Sequence, residues 1–408
     1  MAEERTALAA SVQSPPGPGT APTPGDAPPA PTGSNGDLPA GGAGEPSARP
    51  GSGASVRPAR QVFHPLEVVS VERLCEDAAA LGFAVPEHLA EDYRFRAGQS
   101  VTLRRHLDGR EERRSYSICA PESAPLRIGV RAVPGGALSP WLVGEVTPGD
   151  RIEVAPPSGS FTPDLERPGR HVLVGAGSGI TPLLSIAASV LARPQGSVAL
   201  LYGNRSSSTV MFAEELADLK DAHTGRFELF HVLSREPQEV EVSSGRLEPA
   251  RLAELFALLG PEPVEHWWLC GPYGLVVAAS GLLARMGVEA SRVHRELFYV
   301  EDEAPEPHRR AEEPPGSGAS VTVVLDGRTT TAVVPAGVSI LEGVQRVRAD
   351  VPFACKGGVC GTCRARLRSG EVRMRRTFAL EAEEIAAGVV LTCQAVPASE
   401  QLVVDYDT

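Results

Sequence analysis

Four of the seven cysteines in this 408-residue chain lie as Cys355-x4-Cys360-x2-Cys363, with Cys393 beyond a further 29 residues. That spacing matches the ligand pattern of a plant-type 2Fe-2S cluster. Two irons and two sulfides need four thiolates converging from one side, so a tight loop supplies three and a distant strand returns the fourth. The loop reads Cys-Lys-Gly-Gly-Val-Cys-Gly-Thr-Cys. Its Gly357, Gly358 and Gly361 admit positive φ and let backbone N–H groups approach the sulfurs. A zinc site would take paired Cys-x2-Cys knuckles, and the second is missing. Structural disulfides are not expected of a chain read as cytoplasmic. Cys75 and Cys119 read as core or incidental residues.

The surroundings of the cysteines are those of a small β domain. Residues 320–334 read as two strands around an Asp-Gly turn, 339–347 as a short helix, and LTCQAV and QLVVDYD as strands. Residues 319–408 resemble the β-grasp ferredoxin domain. Ten acids and ten bases leave this segment neutral. Arg364, Arg366, Arg368, Arg373, Arg375 and Arg376 cluster after the loop. Two readings of them stay open, a docking surface and solvated strand faces.

Composition divides the rest of the chain. Residues 1–60 hold 12 Pro, 10 Gly and 12 Ala with five large apolar residues, too few to offset chain entropy. This tail is expected to be disordered, and it lacks the apolar segment of a secretory signal. Residues 301–318 carry six acids, two arginines and four prolines and read as a self-repelling linker. The net charge of −12 argues against nucleic acid or an anionic membrane as partner. No apolar run is long enough to span a bilayer.

Residues 61–165 alternate short strands with turns, as a small antiparallel barrel does. They carry Arg114-Ser115-Tyr116-Ser117, where a guanidinium can pair with a diphosphate, a tyrosine can pack on an isoalloxazine and a hydroxyl can donate to its N5. Val130-Arg131 and Gly135-Gly136-Ala137-Leu138-Ser139 follow, the latter offering backbone N–H groups and a hydroxyl to a pyrophosphate. With Phe95-x2-Gly98-Gln99 upstream, these strings resemble the flavin domain of the ferredoxin–NADP reductase superfamily, which implies a six-stranded FAD-binding barrel.

Residues 166–300 switch to strand–helix alternation, the pattern of a doubly wound parallel sheet, with helices expected at 209–220, 250–258 and 272–286. The glycine loop Gly175-Ala-Gly177-Ser-Gly179-Ile-Thr181-Pro182 resembles that superfamily's nicotinamide nucleotide loop. The resemblance implies three further roles. Cys270, in Cys270-Gly271-Pro272, stands beside the nicotinamide C4, Glu296 is the acid close to the flavin, and Phe298 is the aromatic there. Ser117, Cys270 and Glu296 are thus the candidate catalytic residues. Asn204 and Arg205 open a loop of hydroxyls with no acid in it. That composition suits the 2′-phosphate of NADPH better than the ribose diol of NADH.

The strings RSYSICAP, LRIGVRAVPGG, VGAGSGITP, LYGNRSSSTVMFAEELADLK, HVLSRE, LCGPY and VLTCQA resemble, across about 65–408, the family of reductase subunits that serve the phenylacetyl-CoA 1,2-epoxidase. The resemblance implies electron flow from NADPH through FAD and a 2Fe-2S cluster to a multicomponent di-iron oxygenase of phenylacetate degradation. The alternative acceptor is a Rieske or steroid ring hydroxylase. A flavohaem reading would need a globin, which residues 1–60 cannot supply.

Overall fold

The computed structural model describes residues 62–107, 110–167, 169–260, 263–298, 318–380 and 382–407. The expected tail at 1–60, and the expected linker apart from its last residue, lie outside the described residues.

The first sheet is made of β1 (His64–Cys75), β2 (Ala78–Ala84), β3 (Ser100–Leu107), β4 (Arg110–Ser117), β5 (Arg127–Arg131) and β6 (Arg151–Val154), with helix α1 (Ser139–Gly144) between the last two. The strands are antiparallel in the order β4-β3-β6-β1-β2-β5. The chain leaving β4 closes the barrel, because Ile118 bridges Ile128 and Cys119 donates its N–H to Arg127 at 2.9 Å. β2 escapes the sequence reading. Its segment AAALGFA lacks polar alternation because it is buried on both sides. Ala79, Leu81 and Phe83 fill the barrel, while Ala78 and Ala80 join the core of the next domain.

That domain comprises β7 (Arg170–Ala176), α2 (Ile180–Leu191), β8 (Ser197–Asn204), α3 (Ala213–Ala222), β9 (Phe227–Leu233), α4 (Pro249–Leu258), β10 (Val264–Gly271), α5 (Tyr273–Arg285) and β11 (Val293–Leu297). Its strands are parallel in the order β11-β10-β7-β8-β9. Alternate residues of β7 serve opposite layers. Leu173 packs with α2, whereas Val172 and Val174 pack with α4 and α5. The helix expected over 209–220 starts only at Ala213. Before it, Ser206 caps a single 3₁₀ turn and Phe212 takes a left-handed backbone (φ 59°). That conformation accompanies burial of the Phe212 ring against the barrel, described below.

The third sheet and its satellites contain β12 (Gly318–Leu325), β13 (Arg328–Pro335), α6 (Ile340–Gln345), β14 (Arg364–Ser369), β15 (Val372–Met374), α7 (Ala382–Ala386), β16 (Val389–Leu391), β17 (Ala395–Pro397) and β18 (Gln401–Asp405). The order is β13-β12-β18-β14-β16, with β12 and β18 parallel and β15 paired with β17 apart. Asp326 and Gly327, both at positive φ, make the β12–β13 turn. The LTCQAV segment is two strands, not one. Thr392-Cys393-Gln394 turns between them, which brings Cys393 toward the other cysteines. No helix among the described residues is long and apolar enough to cross a membrane.

Candidate functional site

A continuous cleft of about 4330 Å³ runs between the three sheets and takes lining residues from each. The barrel and the parallel sheet meet closely on one side of it. A Cβ on Gly129 of β5 would lie 2.4 Å from Thr181 Cγ2 and 2.9 Å from Phe212 Cζ, so only glycine permits this approach. Arg127 donates to Glu215 at 2.7 and 3.0 Å and so ties the barrel to α3. The sequence reading did not single out Gly129 or Arg127. A lone glycine inside a strand was the available signal.

The three candidate catalytic residues converge. Cys270 and Glu296 are register partners on β10 and β11, and Ser117, at the end of β4, donates to Glu296 Oε2 at 3.4 Å. Burial pushes the Glu296 carboxyl up to about 8, outweighing the opposing pull of the Ser117 hydroxyl. Burial also pushes the Cys270 thiol well above its usual value, with the neighbouring Glu296 adding to the effect. The thiol is thus a neutral, fully buried group. Tyr116 and Phe298 are half-buried and line the cleft beside this junction.

Other predicted residues divide between cleft and core. Arg114 is on the cleft wall, paired with Glu112 at 3.0 Å. Ser115 hydrogen-bonds Thr102 at 3.1 Å. Gly135 to Ser139 line the cleft, and a Cβ on Gly135 (φ +72°) would meet nothing within 4 Å. The Ser139 hydroxyl accepts the Val133 N–H at 3.0 Å and so shapes this loop from within. Val130 points its side chain into the barrel core, as Leu138 does, leaving their backbone groups for any ligand. Arg131 reaches the other domain: it faces Asp77 at 3.2 Å, donates to the Thr209 carbonyl, and approaches Gly177.

The glycine loop is held tightly. A Cβ on Gly179 would lie 2.2 Å from the Cys270 carbonyl oxygen, and one on Gly175 would lie 2.6 Å from Leu183 Cδ1. Gly177 takes φ +56°, its carbonyl accepts the Tyr202 hydroxyl at 3.0 Å, and Thr181 donates to Ser178 at 2.9 Å. Pro182 is buried behind the loop in α2, while Gly271 (φ +156°) and Pro272 line the cleft at the start of α5. Asn204, 8% exposed, keeps both amide atoms buried without a hydrogen-bond partner among the described residues. A ligand that both donates and accepts at this position fits that amide.

The structure corrects one premise. The loop after β8 has no acid in its sequence, yet two carboxylates reach it. Asp77 from the β1–β2 turn pairs with Arg205 at 2.9 Å, and Glu236 accepts the Ser207 N–H and hydroxyl at 2.8 and 2.9 Å. Arg235, which the sequence reading passed over, also lines the cleft and is exposed; its N–H donates to the Arg205 carbonyl at 2.7 Å. Its signal was position, the end of the strand next to Arg205.

The four cysteines of the loop and the β16–β17 turn approach in two pairs. Cys355 is hydrogen-bonded to Cys360, and Cys363 to Cys393. Among the described residues no group of three or more His, Cys, Asp or Glu closes around a single ion. Two pairs of thiols fit two metals better than one. Lys356, Gly358 and Gly361 take positive φ, and the Gly357 N–H donates to Cys355 Sγ at 3.3 Å. Thr392 fixes the far side, donating to the Cys363 carbonyl at 3.0 Å while accepting from Tyr406 at 2.7 Å.

A closed barrel, a doubly wound sheet and a cysteine-bearing β-grasp sheet around one cleft define an electron-transferring flavin and iron–sulfur reductase. Family models match in the same order: an oxidoreductase FAD-binding domain at 65–162, an oxidoreductase NAD-binding domain at 173–280 and a 2Fe-2S iron-sulfur cluster binding domain at 323–398. The chain belongs to the family of oxygenase reductase components that includes the reductase of 1,2-phenylacetyl-CoA epoxidase. It is 39% identical to that component from Escherichia coli K12 over 85% of this chain and 98% of the relative. It is 32% identical to the ferredoxin reductase component of 3-ketosteroid-9-alpha-monooxygenase from Rhodococcus rhodochrous, over 84% of this chain and 96% of the relative. Phthalate dioxygenase reductase superposes with a TM-score of 0.56 at 25% identity, covering 86% of this chain and all of that one.

Proposed function

We propose that this chain is the reductase of a phenylacetyl-CoA 1,2-epoxidase, drawing electrons from NADPH in the cytoplasm. The 39% identity over nearly the full length of the Escherichia coli relative carries this reading against the steroid hydroxylase alternative, where identity is 32%. When bound, the flavin supplies the conversion of a two-electron hydride into single electrons, and the cluster passes them singly onward.

The chain's own residues orient and exclude. Tyr116, Ser117 and the 135–139 loop hold the flavin, with Arg114 toward its diphosphate. Glycines 175, 177 and 179, Thr181, Asn204 and Gly271 hold the nucleotide. Ser117 and Glu296 keep a shared proton at the junction, and buried Cys270 keeps water from it. Cys355, Cys360, Cys363 and Cys393 ligate the cluster.

Anaerobic NADPH titration of the purified protein tests the internal path: both flavin and cluster absorption should bleach. Turnover of phenylacetyl-CoA with the epoxidase's oxygenase components tests the acceptor. Bleaching without turnover, together with support of a steroid hydroxylase, would transfer the chain to the alternative.

A further inference from the structure

Arg113, on β4, is 4% exposed although it is a guanidinium on a barrel strand. What covers it comes from two sides. Its Cζ lies 5.1 Å from the centroid of Phe63, next to β1, and 4.4 Å from that of Phe353, which belongs to the iron–sulfur domain and precedes Cys355 by two positions. The stack continues at both ends. Arg104, the register partner of Arg113 on β3, sits 4.2 Å over Phe63, and Lys356 Nζ sits 4.6 Å from Phe353. Five side chains thus alternate as cation and ring, Arg104–Phe63–Arg113–Phe353–Lys356, from the barrel into the cysteine loop. Carboxylates fix the barrel's cations: Glu111 pairs with Arg113 at 2.6 Å and Glu153 with Arg104 at 2.6 Å.

The composition makes the far end notable. Lys356 is one of two lysines among 39 basic residues, and it occupies a left-handed backbone position within the cysteine loop. Glu112 and Glu342 face it with opposite charge, Arg113 and Arg114 with like charge. A planar guanidinium desolvated between two rings is a directional contact, stronger than the same pair in water. β4 also carries the Arg114–Ser117 string, so this contact seats the cysteine loop on the strand that faces the flavin site.

We infer that Arg113 is a positioning residue: its stack on Phe353 docks the iron–sulfur domain on the flavin barrel and sets how often the cluster stands where it accepts an electron. The inference rests on the reading that electrons pass from the barrel to the cysteine loop. Arg113 touches neither the nucleotide loop nor the Ser117–Glu296 pair, so reduction of the flavin by NADPH does not depend on it. Loss of the stack lowers the effective concentration of the cluster at the flavin.

The test uses the full-length holoprotein with R113A in the barrel and F353L in the iron–sulfur domain. Leucine keeps the Phe353 site apolar, so F353L carries the test if R113A does not fold. Hydrogen exchange reads docking without reference to activity. In R113A, amides of 351–357 should exchange about fivefold faster while β12, β13 and β18 keep their protection. In F353L the β4 amides should loosen reciprocally. In anaerobic single turnover with NADPH, flavin bleaching should keep its wild-type rate and cluster bleaching should slow about tenfold. Faster exchange confined to the mutated domain, or cluster bleaching at the wild-type rate, overturns the inference. Failure of wild-type flavin to bleach with NADPH overturns the functional reading instead, and leaves the exchange result standing.

Discussion

Ser117 and Glu296, 179 positions apart in sequence, meet at 3.4 Å where the flavin barrel touches the last strand of the nucleotide domain. Burial holds the Glu296 carboxyl at about 8 against an ordinary 4.5, so the folded protein keeps at neutral pH a proton that the unfolded chain has shed. The sign follows directly. Between about 4.5 and 8 the folded state binds more protons at this residue, and its contribution to stability falls as pH rises through that window. E296Q, which holds a neutral amide in the same place, should match wild type near pH 4 and gain on it progressively toward pH 8.5. Thermal midpoints of both proteins across that range check this. Parallel curves would mean that the Glu296 carboxyl is not held neutral by its surroundings.

Replacing any one of the paired thiols should empty the cluster and spare the barrel. In C355S or C393S, iron and acid-labile sulfide should fall below about a tenth of wild type, because a serine oxygen is a poor soft-metal ligand. NADPH-driven reduction of ferricyanide should stay within about twofold, since the flavin and nucleotide sites lie on other sheets. Full iron content in either variant would contradict the ligand set.

Ligand spacing and strand periodicity made most of this molecule legible from its sequence. The cysteine loop, the glycine loop and the Arg114–Ser117 string are local, and their residues lie side by side in the chain. Three things were not local. β2 carried no alternation because two cores claim its two faces. The start of α3 was displaced because Phe212 turns left-handed and packs against Gly129. Asp77 came to Arg205 from 128 positions away, so an absence of acids in the local sequence did not describe the pocket.

Gly179 should tolerate no side chain. Its neighbours at 2.2 and 2.6 Å are the carbonyl oxygen and carbon of Cys270, backbone atoms of a central strand that cannot step aside. Its own backbone is unstrained (φ −59°), so the penalty is steric. G179A should cost about 1–3 kcal/mol by overpacking and lower the thermal midpoint by several degrees. It should weaken NADPH binding as the loop is pushed outward. G274A has open space around it and serves as the control. Equal behaviour of the two variants in calorimetry would refute the packing argument.

Discrimination between NADPH and NADH should depend more on Arg235 than on Arg205. Both arginines stand at the ends of adjacent strands, joined by the Arg235 N–H to Arg205 carbonyl bond at 2.7 Å. Arg205 is neutralised by Asp77 at 2.9 Å, whereas Arg235 is exposed on the cleft wall. A charge-assisted hydrogen bond contributes about 1.5–3 kcal/mol, and about 1.4 kcal/mol is tenfold in affinity. R235A should therefore raise KM for NADPH about tenfold or more, and R205A by less, with KM for NADH unchanged in both. D77N should move the other way: it releases Arg205 to the 2′-phosphate and lowers KM for NADPH. Steady-state kinetics with both nucleotides separate the outcomes. A larger effect of R205A than of R235A would mean that the phosphate displaces Asp77 on binding. An equal rise in KM for NADH would mean that these arginines do not read the 2′-phosphate at all.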